Sequence, residues 1–144
     1  MKNGIMSQDG RVVYTAKTRT IGGRENGTSR SSDGRLDIRL STPGSPRIGT
    51  NPEQLFASAW SACFESAIAI AAHNRKIKLR AGVAIDAEVD LNLADGGYFL
   101  SIRLNVSLPG IEHNIARTLV DDAHQICPYS KATRGNIDVA TNLV

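Results

Sequence analysis

The sequence predicts an α+β fold in which an antiparallel sheet packs on one long, buried central helix. Two observations carry this prediction. Residues 55–72 are almost wholly apolar and follow a helix-start signal. Residues 83–93 and 98–108 alternate apolar and polar side chains on either side of a glycine turn, which is typical of a β-hairpin. With further strands before the first helix and after a second one, the hairpin connections imply an antiparallel sheet.

The region before the central helix is strand-like but polar. Apolar residues alternate with charged ones from residue 35 to residue 40, as in a strand with one apolar face. Residues 32–34, Ser-Asp-Gly, predict the turn before this strand. Residues 42–51 concentrate Pro, Gly, Ser and Thr, so we expect a loop that leads into the central helix.

The central helix is the most clearly marked element. Asn51 is suited to cap it, Pro52 suits its first position, and Gln54 completes a capping box. From residue 55 to residue 72 the only non-apolar residues are Ser58, Ser61, Glu65 and Ser66. We therefore expect burial on most faces of the helix. Small residues from 57 to 62 would let a second backbone approach closely, so we predict an intertwined homodimer with this helix near the interface.

The hairpin is followed by a second helix and a last strand. Apolar residues then recur at helical spacing and predict the face that meets the core; they are Ile115, Leu119, Ala123 and Ile126. Pro128 should end this helix near Cys127. Residues 137–143 predict a short final strand.

Length and composition describe an ordinary globular protein. The 144 residues fit a single domain, 1–144, and 41% hydrophobic with 22% charged residues excludes a disordered, collagen-like or coiled-coil chain. The net charge is +3 without a basic block, so we expect no nucleic-acid partner. Residues 1–10 lack the apolar run of a signal peptide, which predicts a cytoplasmic protein. Glu65 and the many Ala and Ser residues of the central helix argue against a membrane span.

Two cysteines, Cys63 and Cys127, are the candidate reactive groups. They are 64 residues apart and form no C-x-x-C motif, which excludes the thioredoxin type of site. Cys63 lies in the apolar helix, where burial raises a thiol pKa unless a cation lies beside it. Cys127 precedes a polar turn, where we expect it to be mobile and reachable. On these observations alone, both could equally be inert core thiols.

Metal binding has little support in the sequence. The chain has two cysteines, too few for a closed zinc site without histidines close by. Its histidines are isolated from one another; they are His73, His113 and His124. We expect no metal site and interpret each histidine as a surface or half-buried residue.

The residues around both cysteines resemble those of a known family. Residues 51–57 (NPEQLFA) lead into 61–64 (SACF), and 127–130 (CPYS) lead into 132–137 (ATRGNI). Residues 22–24, 31–34 and 40–43 precede them in the family's order and spacing. Over nearly its whole length the chain is similar to the organic hydroperoxide resistance (Ohr) branch of the OsmC/Ohr thiol peroxidases.

This resemblance implies a role for four residues. Cys63 would be the peroxidatic thiolate, and Cys127 the resolving thiol that closes a Cys63–Cys127 intrachain disulfide. Arg24 would be the activating cation, and Glu53 the carboxylate that orients it. Alkyl or lipid hydroperoxides would be reduced to alcohols without a bound cofactor. The reductant would be a lipoyl-type dithiol, either dihydrolipoamide or a lipoylated protein.

The spacing of two of these residues adds a prediction about the dimer. Glu53 and Cys63 are ten residues apart, which on one continuous helix places them ~15 Å apart along the axis and on different faces. One Arg24 could hardly serve both within a subunit. We therefore predict that the Arg24–Glu53 pair of one subunit serves Cys63 of the other.

Two positions depart from the family's pattern and leave the substrate preference open. Trp60 stands where Tyr is expected. Lys131 stands where Asn is common in the Ohr branch, and the sister OsmC branch has Lys there. The alternatives are an OsmC-type peroxidase with a broader or hydrogen peroxide preference, and a non-catalytic dimer that senses redox state or binds an apolar ligand.

Overall fold

The structure, a computed structural model, describes residues 10–144, and the chain divides into two units, Met1–Asn51 and Pro52–Val144. Residues 1–9, on which the signal-peptide prediction mainly depends, lie outside the described residues. The prediction of a single domain over 1–144 stays a prediction.

The N-terminal unit contains a three-stranded antiparallel sheet of polar strands. Its strands are β1 (Thr18–Ile21), β2 (Thr28–Ser31) and β3 (Asp37–Arg39), side by side in that order. A four-residue helix, α1 (Gly23–Asn26), connects β1 to β2. The turn predicted at residues 32–34 is present before β3, as expected from its Ser-Asp-Gly sequence.

The second unit contains the central helix and the predicted hairpin. Helix α2 (Pro52–Asn74) begins at the predicted proline and continues two residues beyond the predicted end. Strands β4 (Ala84–Ala94) and β5 (Gly97–Ser107) pair in antiparallel register over their full length. Asp95 and Gly96, with φ of 50° and 74°, form the two-residue turn. Both residues are in the left-handed region that such tight hairpins require, so the hairpin prediction is confirmed.

The last strand corrects one part of the prediction. Helix α3 (His113–Ile126), the short helix α4 (Pro128–Thr133) and strand β6 (Asp138–Leu143) follow the hairpin. Strand β6 pairs with β5 in parallel rather than antiparallel register. The reason is the connection, because two helices carry the chain back across the unit before β6 starts, and such a crossover allows parallel pairing.

The core of the second unit lies between α2, α3 and one face of the sheet. Its fully enclosed large side chains include Trp60, Phe64 and Ile68 from α2 and Ile102, Leu104 and Val106 from β5. Helix α3 contributes Ala116, Leu119, Val120 and Ala123. The predicted stripe was therefore right at Leu119 and Ala123 and wrong at Ile115, which is 40% exposed.

Helix α2 has two contrasting faces in the single chain. One face is buried and carries Trp60, Phe64, Ala67, Ile68, Ala71 and Ala72. The opposite face includes Ala62, Ala69 and Ile70, all exposed. The expectation of burial on most faces is therefore wrong for one chain taken alone. By length and composition α2 is also the one helix in residues 10–144 that could cross a membrane, but core helices pass the same test.

Candidate active site

The two cysteines meet in the second unit. Cys63 lies in the middle of α2 and Cys127 at the junction of α3 and α4, and their Sγ atoms are 3.2 Å apart. Both are free thiols. A disulfide bond has sulfur atoms about 2.0 Å apart, so closing one here requires a movement of little more than an ångström. The fold thus brings together two residues that are 64 positions apart in the chain.

The burial of the two thiols is opposite to the prediction. Cys127 is fully enclosed, with 0% exposure, whereas Cys63 is partly exposed. The predicted polar turn after Cys127 is helix α4, which starts at Pro128. Cys127 itself has an extended backbone, donates its N–H to the Ala123 carbonyl (2.8 Å) and accepts from the Lys131 N–H (3.0 Å). Because these bonds fix it to both helices, Cys127 is held in the core instead of standing in a mobile turn.

The environment of Cys63 disfavours the thiolate. Burial raises the pKa of the Cys63 thiol, and the adjacent Cys127 sulfur raises it further, since two sulfurs in contact are not both ionised. The Tyr129 backbone N–H points at Cys63 and lowers its pKa, but this effect is smaller than that of burial. The second unit by itself therefore holds Cys63 as a thiol, as the sequence predicted for an apolar helix without a cation.

Three aromatic rings pack together on α2 and α4, the helix that carries Cys63 and the helix that follows Cys127. The Phe56 ring packs edge-on against Trp60 at 5.6 Å and against Tyr129 at 6.2 Å between centroids. Phe56 precedes Cys63 by seven residues on α2 and so shares its side of the helix. Trp60 and Phe64 are fully buried core residues, whereas Phe56 is only partly buried and is available to a ligand near Cys63.

A buried polar network joins α2, α3 and α4. Trp60 Nε1 donates to Ser130 Oγ at 3.3 Å, and Ser130 Oγ lies 3.1 Å from His124 Nδ1. The His124 ring packs on Phe64 with centroids 4.7 Å apart. Burial lowers the pKa of His124. Sequence reasoning gave Ser130 and His124 no role; the only signal was their position three residues on either side of Cys127.

Arg24 and Glu53 belong to different units of the chain. Arg24 lies on α1 in the N-terminal unit, and Glu53 lies in the first turn of α2 in the second. Because α2 is continuous from Pro52 to Asn74, the expected spacing of ~15 Å along the axis between Glu53 and Cys63 applies. The pairing of Arg24 with Glu53 and with Cys63 stays a prediction.

The helix that carries Arg24 was not predicted, although glycines signal it. Gly22 and Gly23 have φ of 83° and 71°, and a Cβ on Gly27 would lie 2.2 Å from the Gly23 carbonyl oxygen. A larger residue at Gly27 would therefore disrupt α1. Arg47 also stabilises the segment that follows α1, because its guanidinium donates to the Gly27 carbonyl at 3.2 Å and to the Leu40 carbonyl at 3.0 Å. The Gly-Gly-Arg sequence thus shapes the loop that presents Arg24.

Metal-ligating side chains do not cluster in the part of the chain that the structure describes. Within residues 10–144, no three His, Cys, Asp or Glu side chains are close enough together to hold a metal ion. The polar atoms of the buried side chains in this range all have hydrogen-bond partners.

Comparisons with known proteins give matches over nearly the whole chain. The family model described as OsmC-like protein matches residues 24–142. An organic hydroperoxide resistance protein of Xanthomonas axonopodis pv. citri is 46% identical over 142 residues, covering 96% of this chain and 99% of the relative. The organic hydroperoxide resistance protein OhrA of Bacillus subtilis is 42% identical over 132 residues, covering 88% and 93%.

Solved structures give the same result. The crystal structure of an organic hydroperoxide resistance protein from Legionella pneumophila has a TM-score of 0.85 at 41% identity and covers 92% of this chain and 98% of its own. That of OhrB from Bacillus subtilis has a TM-score of 0.83 at 38% identity and covers 92% and 100%. These similarities confirm the predicted resemblance and the α+β fold. The chain belongs to the OsmC-like protein family and, within it, to the branch of organic hydroperoxide resistance proteins.

Proposed function

We propose that the protein is a thiol peroxidase that reduces alkyl or lipid hydroperoxides to alcohols through an intrachain Cys63–Cys127 disulfide. The observation that carries this proposal is the 3.2 Å contact between the two Sγ atoms. A pair of inert core thiols has no need of such contact, whereas a peroxidatic and a resolving thiol require it. The unequal burial of the two cysteines fits this division of work, because the partly exposed Cys63 is the one that a peroxide can reach.

The reaction proceeds in two steps within the chain. The Cys63 thiolate attacks the outer peroxide oxygen, the O–O bond breaks, and the leaving alkoxide takes up a proton, which gives Cys63 sulfenic acid and an alcohol. The Cys127 thiol then attacks the sulfenic sulfur, which forms the disulfide and releases water. The peroxide has been reduced by two electrons and the thiol pair oxidised by two, so a dithiol must reduce the disulfide before the next turnover.

Thiolate formation at Cys63 requires a cation, which we assign to Arg24. Burial and the neighbouring sulfur raise the Cys63 pKa, and a guanidinium beside the sulfur would reverse this shift and stabilise the charge on the leaving alkoxide. Glu53 would orient Arg24 through the fork-to-fork geometry of the carboxylate–guanidinium pair. We further propose that this pair acts across a homodimer, on Cys63 of the other subunit.

A heterodimer tests the arrangement across subunits. One subunit carries Arg24→Gln and the other Cys63→Ser, so that a complete site forms only if Arg24 and Cys63 come from different chains. The isolated heterodimer should then retain about half of the wild-type activity, because one of its two sites is complete. An inactive heterodimer alongside inactive homodimers of each variant would place Arg24 and Cys63 in the same chain.

The exposed apolar residues of the second unit support the homodimer. They include Ile70 on α2 and Leu91, Leu93, Tyr98 and Phe99 near the tip of the hairpin, all at least 45% exposed. So many large apolar side chains on one unit are typical of a surface that another protein covers. Sedimentation of the purified chain should give the mass of a dimer at micromolar concentration, and a monomer with full activity would contradict this assignment.

The substrate class follows from the rings near Cys63. Phe56 is partly buried, shares the side of α2 that carries Cys63 and packs against the Tyr129 ring; this apolar surface favours a hydroperoxide with an alkyl or lipid chain. Cumene hydroperoxide should therefore react faster than hydrogen peroxide. Equal rates for the two would indicate the broader preference of an OsmC-type peroxidase.

The electron donor and the compartment complete the proposal. We propose that a lipoyl-type dithiol, either dihydrolipoamide or a lipoylated protein, is the reductant. We also propose that the protein binds no cofactor and acts in the cytoplasm. Peroxide consumption should continue for many turnovers with dihydrolipoamide and stop after one equivalent with thioredoxin. A protein that stops after one equivalent with every dithiol would be a redox sensor instead of an enzyme.

One experiment tests the core of the proposal. The reduced protein receives one equivalent of cumene hydroperoxide, and its free thiols are counted before and after, with intact mass measured without reductant. Loss of both thiols within one chain is expected. A Cys63 that stays reduced, or a disulfide formed only between chains, contradicts the scheme.

A further inference from the structure

Ser130 lies three residues after Cys127, but the reaction proposed above does not use it. Its side chain is enclosed, with 4% exposure, in the six-residue helix α4. Its hydroxyl contacts Trp60 of α2 and His124 of α3. A single oxygen atom therefore connects α4 to both long helices of the second unit.

The hydrogen bonds around Ser130 have one consistent direction. The Trp60 indole Nε1 only donates, so it occupies a lone pair of Ser130 Oγ and leaves the hydroxyl hydrogen for another acceptor. His124 Nδ1, 3.1 Å away, accepts that hydrogen in the neutral tautomer that carries its proton on Nε2, and burial favours the neutral ring because it lowers the pKa of His124. The chain of donors runs from Trp60 through Ser130 to His124, with each group satisfied.

Two groups that meet Cys63 lie within three residues before Ser130 in the sequence. The Cys127 sulfur is 3.2 Å from Cys63 Sγ, and the Tyr129 N–H points at the same atom. A helix of six residues has little stability of its own. The position of these two groups therefore depends on side chains that fix α4 to the rest of the unit, and Ser130 is the polar one among them that reaches both α2 and α3.

We propose that Ser130 is a positioning residue, whose hydrogen bonds to Trp60 and His124 hold Cys127 within reach of Cys63 for disulfide formation. This inference rests on the proposed function. Once Cys63 is a sulfenic acid, two reactions compete for it. Cys127 converts it to the disulfide with release of water, or a second hydroperoxide oxidises it to sulfinic acid with release of a second alcohol. The placement of Cys127 decides which product dominates.

The same short helix provides a matched control. Thr133 is also buried, at 6% exposure, but its hydroxyl donates to the Tyr129 carbonyl at 2.8 Å, inside α4. Thr133→Val removes a buried hydroxyl of α4 without touching the links to α2 and α3. Ser130→Ala removes those links, and Ser130→Thr keeps the hydroxyl. Trp60→Phe removes the indole donor and some ring volume but keeps an aromatic ring in the core.

The test measures how the sulfenic acid is partitioned. Each reduced protein is mixed with excess cumene hydroperoxide without reductant, and intact mass separates the disulfide, about 2 Da lighter, from sulfinic acid, about 32 Da heavier. We expect the ratio of sulfinic acid to disulfide to rise about tenfold in Ser130→Ala, the size of effect expected when a buried hydrogen-bond partner is lost. Ser130→Thr should restore the wild-type ratio, and Thr133→Val should leave it unchanged.

The outcomes separate this inference from the proposed function. A wild-type protein that forms no Cys63–Cys127 disulfide overturns the proposed function. A wild-type protein that forms it, together with an unchanged ratio in Ser130→Ala, overturns only the role of Ser130. Should Ser130→Ala fail to fold, Trp60→Phe decides: a raised ratio supports the inference, and a wild-type ratio overturns it.

Discussion

The two cysteines lie in very different parts of the fold, although their sulfur atoms are only 3.2 Å apart. Cys63 lies in the regular middle of a 23-residue helix and is partly exposed, whereas Cys127 lies at a break between two helices and is fully enclosed. On the regular helix, Cys63 is partly accessible to solvent. The break gives the second thiol a fixed, protected position. Under the proposed function, access and protection are thus divided between two elements of one fold.

The largest expected effect is the loss of peroxidase activity when Cys63, the proposed peroxidatic thiol, is replaced. Cys63→Ser should lower peroxidase activity by at least about 10³-fold, because a hydroxyl does not replace the thiolate that attacks the peroxide. Turnover of cumene hydroperoxide with dihydrolipoamide measures this. Comparable activity in Cys63→Ser and the wild type would mean that the partly exposed cysteine is not the peroxidatic one.

Cys127→Ser should separate the first turnover from later ones. One equivalent of hydroperoxide should still be consumed at nearly the wild-type rate, because Cys63 is intact. Sustained turnover with dihydrolipoamide should fall about tenfold or more, since the sulfenic acid cannot be resolved and is oxidised further. Stopped-flow measurement of the first equivalent and a steady-state assay give the two numbers, and loss of the first turnover would contradict the division of roles.

Arg24→Gln tests whether Arg24 lowers the pKa of the Cys63 thiol, which burial raises. The reaction at neutral pH should slow by about 10²–10³-fold, as for loss of one group that stabilises developing charge. The burial that raises the pKa of Cys63 then acts unopposed, so less thiolate forms at neutral pH and the deficit should shrink as the pH rises. The pH dependence of Cys63 alkylation by iodoacetamide reports this shift directly. An unchanged pH profile of alkylation would show that Arg24 does not act on the Cys63 thiol.

The smallest expected effect concerns stability. Cys127→Ala removes an enclosed sulfur and should lower the free energy of unfolding by about 1 kcal/mol, as expected for a small cavity in a core. Cys63→Ala should cost less, because Cys63 is only partly buried. Urea denaturation of the reduced proteins compares the two. A larger loss at Cys63 would show that a second subunit covers this position more fully than the single chain does.

Several features could be predicted from the sequence because they depend on local patterns. Backbone preferences within a few residues account for three of them. These are the start of α2 at Pro52, the hairpin turn at Asp95 and Gly96, and the end of α3 before Pro128. The proximity of Cys63 and Cys127 came from the resemblance to a family, since no local pattern relates residues 64 positions apart.

Other features could not be predicted because distant contacts decide them. Helix α4 was mistaken for a polar turn, since a six-residue helix owes its stability to tertiary packing instead of propensity. The parallel pairing of β6 depends on the path of the two helices before it. The hydrogen bonds of Ser130 join three elements, so neither its neighbours in sequence nor its residue type indicated them.

Local patterns in the chain were enough to predict most of the helices and strands, the two candidate thiols and the family, because periodicity, turn chemistry and motifs are properties of the linear sequence. Which of the two thiols is enclosed depends instead on tertiary packing. Cys63 lies at the margin between the buried and exposed faces of α2, and Cys127 is held in the core by helices on both sides. Burial is a property of all the surfaces that surround an atom, and those surfaces come from residues far apart in the chain.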